Sequence, residues 1–320
     1  MYSLDLDVFS TLIEWLKRGD DAWLCTVSST WGSAPREVGS LMACNSRGEQ
    51  CGSLSGGCIE EDLLQKVAAG RIAKTHAQYI LYGADPEEAE RLKLPCGGTL
   101  GVLIEPVKEQ AWLDEVRQAL ENRVCITREV DFDSGVQRLQ PGKHGPRFDL
   151  QLKSHSPSHL HQIYGPQFHL FLIGVSEVTR ALAKFALQMD YRVTVCDPRP
   201  ELIAQWNVDH VTLLRAMPDD ALLEHANDAR SAILALTHDP RIDDMGLLES
   251  FNTQAFYIGA MGSQRTSSKR RERLLSLGIE AQQLEKLHAP IGLAIGSKTP
   301  AEIAIAILAE LTQVRARTTL

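Results

Sequence analysis

The residues best suited to chemistry lie in Gly52-Ser53-Leu54-Ser55-Gly56-Gly57-Cys58-Ile59-Glu60-Glu61-Asp62, and a second turn of the same kind follows at Pro95-Cys96-Gly97-Gly98. Each sets a cysteine beside two glycines. Glycine admits positive φ and lets a ligand approach the backbone closely. The first stretch delivers Cys58 to what reads as the first turn of a helix, where free N–H groups and the dipole carry partial positive charge. That setting lowers a thiol's pKa and favours the thiolate, the form that ligates metals. Cys58 and Cys96 therefore read as a pair of exposed soft ligands. A cysteine taken alone is more often a small buried hydrophobe. Glu60, Glu61 and Asp62 suit the helix dipole but repel a nearby thiolate. The repeated glycine context is what sets this pair apart.

The chain around them has 320 residues, enough for two domains with cores of their own. Hydrophobic content of 44% and charged content of 23% belong to an ordinary soluble protein. No apolar run reaches the ~18 residues needed to cross a bilayer. Residues 1–18 carry Asp5, Asp7 and Glu14 and no basic leader, so no signal peptide is expected. Seven cysteines without the tight spacing of a disulfide scaffold point to the reducing cytoplasm. A net charge of −8 disfavours a general nucleic-acid binder and leaves room for a local basic patch.

The elements that must position these residues follow from periodicity. Val8, Phe9, Leu12, Ile13 and Leu16 fall on one face of a helix that Gly19 ends. Ala22–Ser29 and Leu41–Cys44 read as strands, separated by the turn-rich Trp31–Gly39. Ile59–Ala69 reads as the helix behind Cys58, and Gln78–Leu81 and Thr99–Glu105 as strands flanking the second cysteine turn. Residues 1–107 thus form an N-terminal α+β, cysteine-bearing domain. Residues 108–166 read as a connecting region with a helix over 109–121. Within it the polar Ser154–His161, including His155, His159 and His161, reads as a solvated linker in preference to a metal tract.

From 167 to 320 strands and helices alternate, which predicts an α/β, Rossmann-like doubly wound parallel sheet. Strands are expected at His169–Ile173, Arg192–Cys196, Ser231–Thr237 and Ala255–Ile258. Gly174 follows the first strand, and Asp197 ends the second at close to the ~20-residue spacing of a dinucleotide-binding unit. The glycine fingerprint is degenerate, with Ser176 and Thr179 at its second and third positions. The fold signal is therefore good and the signal for tight NAD binding poor. Gly259-Ala260-Met261-Gly262-Ser263, followed by Arg265, Lys269, Arg270, Arg271 and Arg273, reads as a phosphate cradle or, equally, as a solvated basic face. His238-Asp239 and His288 sit on further loops after strands, either as ligand groups or as hydrogen-bonded loop residues.

These motifs, taken together, resemble the XdhC/CoxI family. Gly32-Ser33-Ala34-Pro35-Arg36 and the two cysteine turns resemble its N-terminal domain. Asp197-Pro198-Arg199-Pro200, Thr237-His238-Asp239-Pro240, Tyr257–Ser263 and His288-Ala289-Pro290-Ile291-Gly292 resemble its C-terminal Rossmann domain. The resemblance implies an accessory factor, not an enzyme in its own right. Such a factor binds the molybdenum cofactor, protects it while it gains its sulfido ligand, and inserts it into a molybdenum hydroxylase of the xanthine dehydrogenase or aldehyde oxidoreductase type. It implies molybdopterin, bare or as its cytosine dinucleotide, with Cys58 and Cys96 contacting the molybdenum. The remaining expected cofactor-binding residues are Gly56, Gly57, Gly97, Gly98, Arg36, Gly174, Asp197, His238, Gly259, Gly262, Ser263 and Arg265. The implied partners are an apo molybdenum hydroxylase, a cysteine desulfurase and a molybdopterin nucleotidyltransferase, with the chain itself a homodimer or larger. One departure from the family pattern falls at Gly174-Val175-Ser176-Glu177-Val178, where the family usually places a histidine in a glycine-rich turn. It bears on a nucleotide site there and not on the cysteine turns.

Two other readings compete. A nicotinamide-dependent oxidoreductase is supported by the Rossmann half and opposed by its broken fingerprint. A zinc or thiol-redox protein lacks the four locally spaced ligands that structural zinc takes.

Overall fold

The computed structural model describes residues 4–32, 36–91, 98–142, 148–237 and 239–317. The chain divides into two compact units between Pro166 and Gln167. In the first, α1 (Leu4–Lys17) precedes β1 (Ala22–Trp31), β2 (Leu41–Asn45) and β3 (Gln50–Gly52). Then come α2 (Cys58–Ala68), β4 (Gln78–Tyr82), α3 (Pro86–Arg91), β5 (Thr99–Val107) and α4 (Ala111–Glu121). The strands form an antiparallel five-stranded sheet in the order β3-β2-β1-β5-β4.

Both faces of that sheet are covered, which is why β1 opens with six consecutive buried residues in place of an alternating pattern. On one face Val8, Phe9 and Leu12 of α1 and Leu113 and Val116 of α4 pack on Leu24 and Ala43. On the other, Ile59, Leu63 and Val67 of α2 pack on Trp23, Cys25, Val102 and Tyr82.

Residues expected to form a connecting region hold α4 and a second sheet, and they cluster with the cysteine-bearing residues in one unit. Its strands are β6 (Ile126–Asp131), β7 (Val136–Pro141), β8 (Phe148–Lys153) and β9 (Ser156–Tyr164), in the order β7-β6-β9-β8. The histidine tract is therefore an inner strand and not a linker. Ser154 and His155 take positive φ in the β8–β9 turn. A buried pair fastens this sheet to the first: the Arg128 guanidinium donates to both Glu105 oxygens at 2.8 and 3.0 Å and lies 4.1 Å from the Trp112 ring centre.

The second unit alternates as its pattern predicts. It runs β10 (His169–Ile173), α5 (Glu177–Gln188), β11 (Arg192–Cys196), α6 (Pro200–Ile203), β12 (Thr212–Leu214) and α7 (Pro218–His225). It continues with β13 (Ser231–Ala235), α8 (Pro240–Ser250), β14 (Tyr257–Ala260), α9 (Gln264–Ser276), α10 (Ala281–Leu284), β15 (Leu287–His288) and α11 (Pro300–Arg317). All six strands are parallel, in the order β12-β11-β10-β13-β14-β15. Strands β10 and β13 are buried along their whole length between two apolar clusters, one with α5 and α11, the other with α7, α8 and α9. In such a sheet ligands bind beyond the carboxyl ends of the strands, where the strand order reverses.

Candidate functional site

Strand direction gathers the cysteine-bearing segments. Because β2 is antiparallel to both β1 and β3, β3 runs in the direction of β1 and releases the Cys58 loop at the end where β1 finishes. Strand β5 starts there, with Thr99 opposite Trp31, so the segment containing Cys96 enters at the same end. The backbones meet closely: a Cβ on Gly32 would stand 3.1 Å from the Gly98 Cα. Cys96 and Gly97 lie outside the described residues, as do Ser33, Ala34 and Pro35. Arg36 is exposed in the β1–β2 connection. An ion pair links the two cysteine segments: Arg91, at the end of α3, donates to Asp62 of α2 at 2.9 Å. Lys66 holds the other Asp62 oxygen and lies 4.5 Å from the centre of the Tyr82 ring.

The loop before Cys58 is organised by a residue that the sequence presented only as a helix-dipole acid. Glu60 is 3% exposed. It accepts backbone N–H bonds from Leu54, Ser55, Gly56 and Gly57 at 2.8–3.0 Å and hydroxyl bonds from Ser53 and Ser55. Burial works against the charge, but these donors outweigh it and hold the carboxyl well below the usual range. The N–H groups of the glycine turn thus face an internal carboxylate, not a ligand. Their work is to fix the loop, and Cys58 opens α2 directly after it. Gly56 has φ +90°, and a Cβ on Gly56 or Gly57 would meet none of the described residues within 4 Å. No described residue crowds these two glycines at the start of α2.

Cys25 and Cys44 are buried neighbours with sulfurs 4.0 Å apart, and the Cys44 contact and burial push the Cys25 thiol up. Among the described residues no group of three or more His, Cys, Asp or Glu side chains is placed to hold a metal. His159 and His161 line a cavity of about 360 Å³ on the four-stranded sheet, 3.3 Å from Asp131 and 3.6 Å from Glu129 respectively.

In the second unit the expected nucleotide residues are engaged internally. Gly174 has φ +97°, and a Cβ there would stand 2.1 Å from Thr237 Cγ2. Its glycine is required by the approach of β13's end. Ser176 caps α5 by accepting the Thr179 N–H, and Thr179 donates to the Gly174 carbonyl at 2.7 Å. Asp197 is fully buried. It accepts the Val175 N–H at 2.8 Å and both the backbone and guanidinium of Arg199. The positions that bind pyrophosphate and ribose in a dinucleotide fold are thus closed by the chain's own cap and ion pair. Asp239-Pro240-Arg241 repeats the device after β13, with hydrogen bonds from Arg241 holding the Asp239 pKa at about 2. His238 lies outside the described residues.

The basic helix α9 divides its cations. Arg270 is 2% exposed and binds Asp243, Asp244 and the Met261 carbonyl. Arg271 caps the carbonyls of Leu284 and Leu287, and Arg273 pairs with Asp244. These three hold the fold together. Arg265 and Lys269 stay exposed. Gly259 is required by packing, since a Cβ there would stand 2.5 Å from Ile291. Ser263 caps α9 through the Thr266 N–H. His288 stacks on Tyr257 with ring centres 4.2 Å apart and shares Glu310 with the Tyr257 hydroxyl and the Gly292 N–H.

Comparison with known proteins agrees with this architecture. Residues 170–311 match the XdhC Rossmann domain, and residues 15–83 match the XdhC and CoxI family. A probable xanthine dehydrogenase subunit of Bacillus subtilis (strain 168) is 26% identical over 97% of this chain and 98% of its own length. The molybdenum cofactor insertion chaperone PaoD of Escherichia coli (strain K12) is 25% identical over 95% of this chain and 86% of its own. A crystal structure described as a xanthine dehydrogenase from Bacillus halodurans superposes with a TM-score of 0.73 at 25% identity, covering 98% of this chain and 96% of that one. With matches in both units and two relatives alike along nearly its full length, the chain belongs to the XdhC and CoxI family.

Proposed function

We propose that this chain is a molybdenum cofactor insertion chaperone without turnover of its own, serving a molybdenum hydroxylase. The similarity along both units to PaoD and to a probable component of xanthine dehydrogenase supports the class. The observation that carries the site is Cys58 at the first turn of α2, after a loop clamped by Glu60 whose glycines no described residue crowds. The residues present fit a bulky group bound through a soft metal. A helix N-terminus stabilises thiolate, and the unhindered glycines leave room beside it. Cys58 and Cys96 would supply sulfur ligands, with Gly56, Gly57, Gly97, Gly98 and Arg36 around them. The group itself supplies the molybdenum centre that the client enzyme uses. The chain's residues grip it, shield it and release it.

Further parts of the reading are a role in protecting the cofactor during sulfuration, a cysteine desulfurase and a molybdopterin nucleotidyltransferase as partners, a cytoplasmic setting and a homodimer. No helix among the described residues is long and apolar enough to cross a membrane. A nicotinamide-dependent oxidoreductase is disfavoured by the closed turn at Gly174–Thr179 and the Asp197–Arg199 pair. The test is cofactor retention. Molybdopterin should copurify with the parent and fall at least about tenfold in Cys58→Ser, the loss of one metal–thiolate contact. Retention at the parental level in both Cys58→Ser and Cys96→Ser would rule out thiolate ligation.

A further inference from the structure

Three strand-to-helix turns of this chain are filled by its own carboxylates. Glu60 takes the N–H groups before α2, Asp197 that of Val175 before α5, and Asp239 and Asp243 those of Arg241 and Thr237 around α8. The turn between β14 and α9 is built differently. The first turn of α9 carries no acidic residue. Ser263 caps one N–H, that of Thr266, which leaves the N–H groups of Gln264 and Arg265 without intrahelical acceptors.

Ser267 adds the decisive observation. It is 2% exposed, and its hydroxyl has no hydrogen-bond partner among the described residues. It lies beside the turn: a Cβ built on Gly262 would stand 3.2 Å from Thr266 Cβ and Cγ2 and 3.7 Å from Ser267 Oγ. A buried hydroxyl is normally paired, so one left open toward a helix N-terminus marks a place where an acceptor belongs. Arg265 and Lys269 lie one turn apart on the exposed side of the same helix, with no ion pair among the described residues. Their neighbours Arg270, Arg271 and Arg273 are all committed to internal acceptors.

We infer that Gly262, Ser263 and the start of α9 bind a phosphate monoester. Gly262 lacks the Cβ that would press on Thr266 and narrow the approach, the Gln264 and Arg265 N–H groups and the Ser267 hydroxyl donate to the oxygens, and Arg265 and Lys269 balance the charge. The assignment of that phosphate to the molybdenum cofactor rests on the chaperone reading above; the site itself does not. Either the pterin's own phosphate or that of an added nucleotide has the chemistry required.

Calorimetric titration of the full chain with inorganic phosphate, glycerol 3-phosphate and CMP, in sulfate-free buffer, tests this. All three should bind. Ser267→Ala should weaken them about tenfold and Arg265→Glu at least that much, the scale of one charge-assisted hydrogen bond. The exposed Arg265→Glu should melt with the parent. Cys58→Ser should bind phosphate as the parent does, so loss of the cofactor assignment leaves this result standing. CMP binding tighter than glycerol 3-phosphate assigns the site to a nucleotide phosphate, and equal binding assigns it to the pterin's. A parent that binds none of the probes, or variants that bind them equally, would overturn the inference.

Discussion

Glu60 is the side chain on which the cysteine loop depends. Six donors converge on one carboxylate, and a bond to a charged group contributes roughly 1.5–3 kcal/mol. Glu60→Gln keeps the shape, removes the charge and turns one acceptor into a donor. We expect it to lower the stability of the first unit by about 2–4 kcal/mol at pH 7. The pH dependence follows from the depressed carboxyl. Its stabilisation is fully present above the unfolded-state value of ~4.3 and is lost as pH falls from there toward the folded value. Denaturant melts between pH 3 and 7 should show a steeper acid loss in the parent than in Glu60→Gln; equal slopes would contradict the assignment. The sequence disclosed the glycines and the cysteine but not this clamp. A glutamate at the third helical position fits a capping box, and only the folded loop shows four consecutive N–H groups turned onto it.

Elements were more legible than contacts. The helix behind Cys58, the strands around Cys96 and the alternation after 167 follow from apolar periodicity and fall within a few residues of their observed ends. Strand β9 did not, because Ser156-Pro157-Ser158-His159-Leu160-His161 is polar on the face turned away from Leu103 and carries no apolar alternation until Leu160. The basic helix was visible, yet the commitment of Arg270, Arg271 and Arg273 to acceptors from elsewhere in the unit was not. The tie between Asp62 and Arg91 is likewise invisible in sequence. Arg91 is largely exposed there, so Arg91→Met should cost less than about 1 kcal/mol. It should nevertheless speed amide exchange across residues 86–91 and reduce molybdopterin retention. Hydrogen-exchange mass spectrometry with pterin quantification checks both, and retention unchanged by the loss of this tie would show that it does not serve the site.

At the scale of the molecule, each unit has apolar clusters of its own. In the second unit Arg270 is the central polar anchor. Removing it in Arg270→Met strands the buried Asp243 carboxylate without a cation and leaves Asp244 to Arg273 alone, at about 3–5 kcal/mol. Amides of β13 and β14 should lose protection while those of β1 and β5 keep theirs; parallel loss in both units would mean that they unfold as one. The Rossmann architecture was legible, as was the weakness of its dinucleotide fingerprint; that Asp197 is spent on Arg199 and Val175 emerged only from the fold. The proposed function turns on sulfur at the glycine turns holding a molybdenum-bearing pterin. Mass spectrometry of the pterin released from freshly isolated protein, parent beside Cys58→Ser, decides it. Molybdopterin or its cytosine dinucleotide should be released from the parent and be largely missing from the variant, whereas a parent without pterin, or a variant carrying as much, would contradict it.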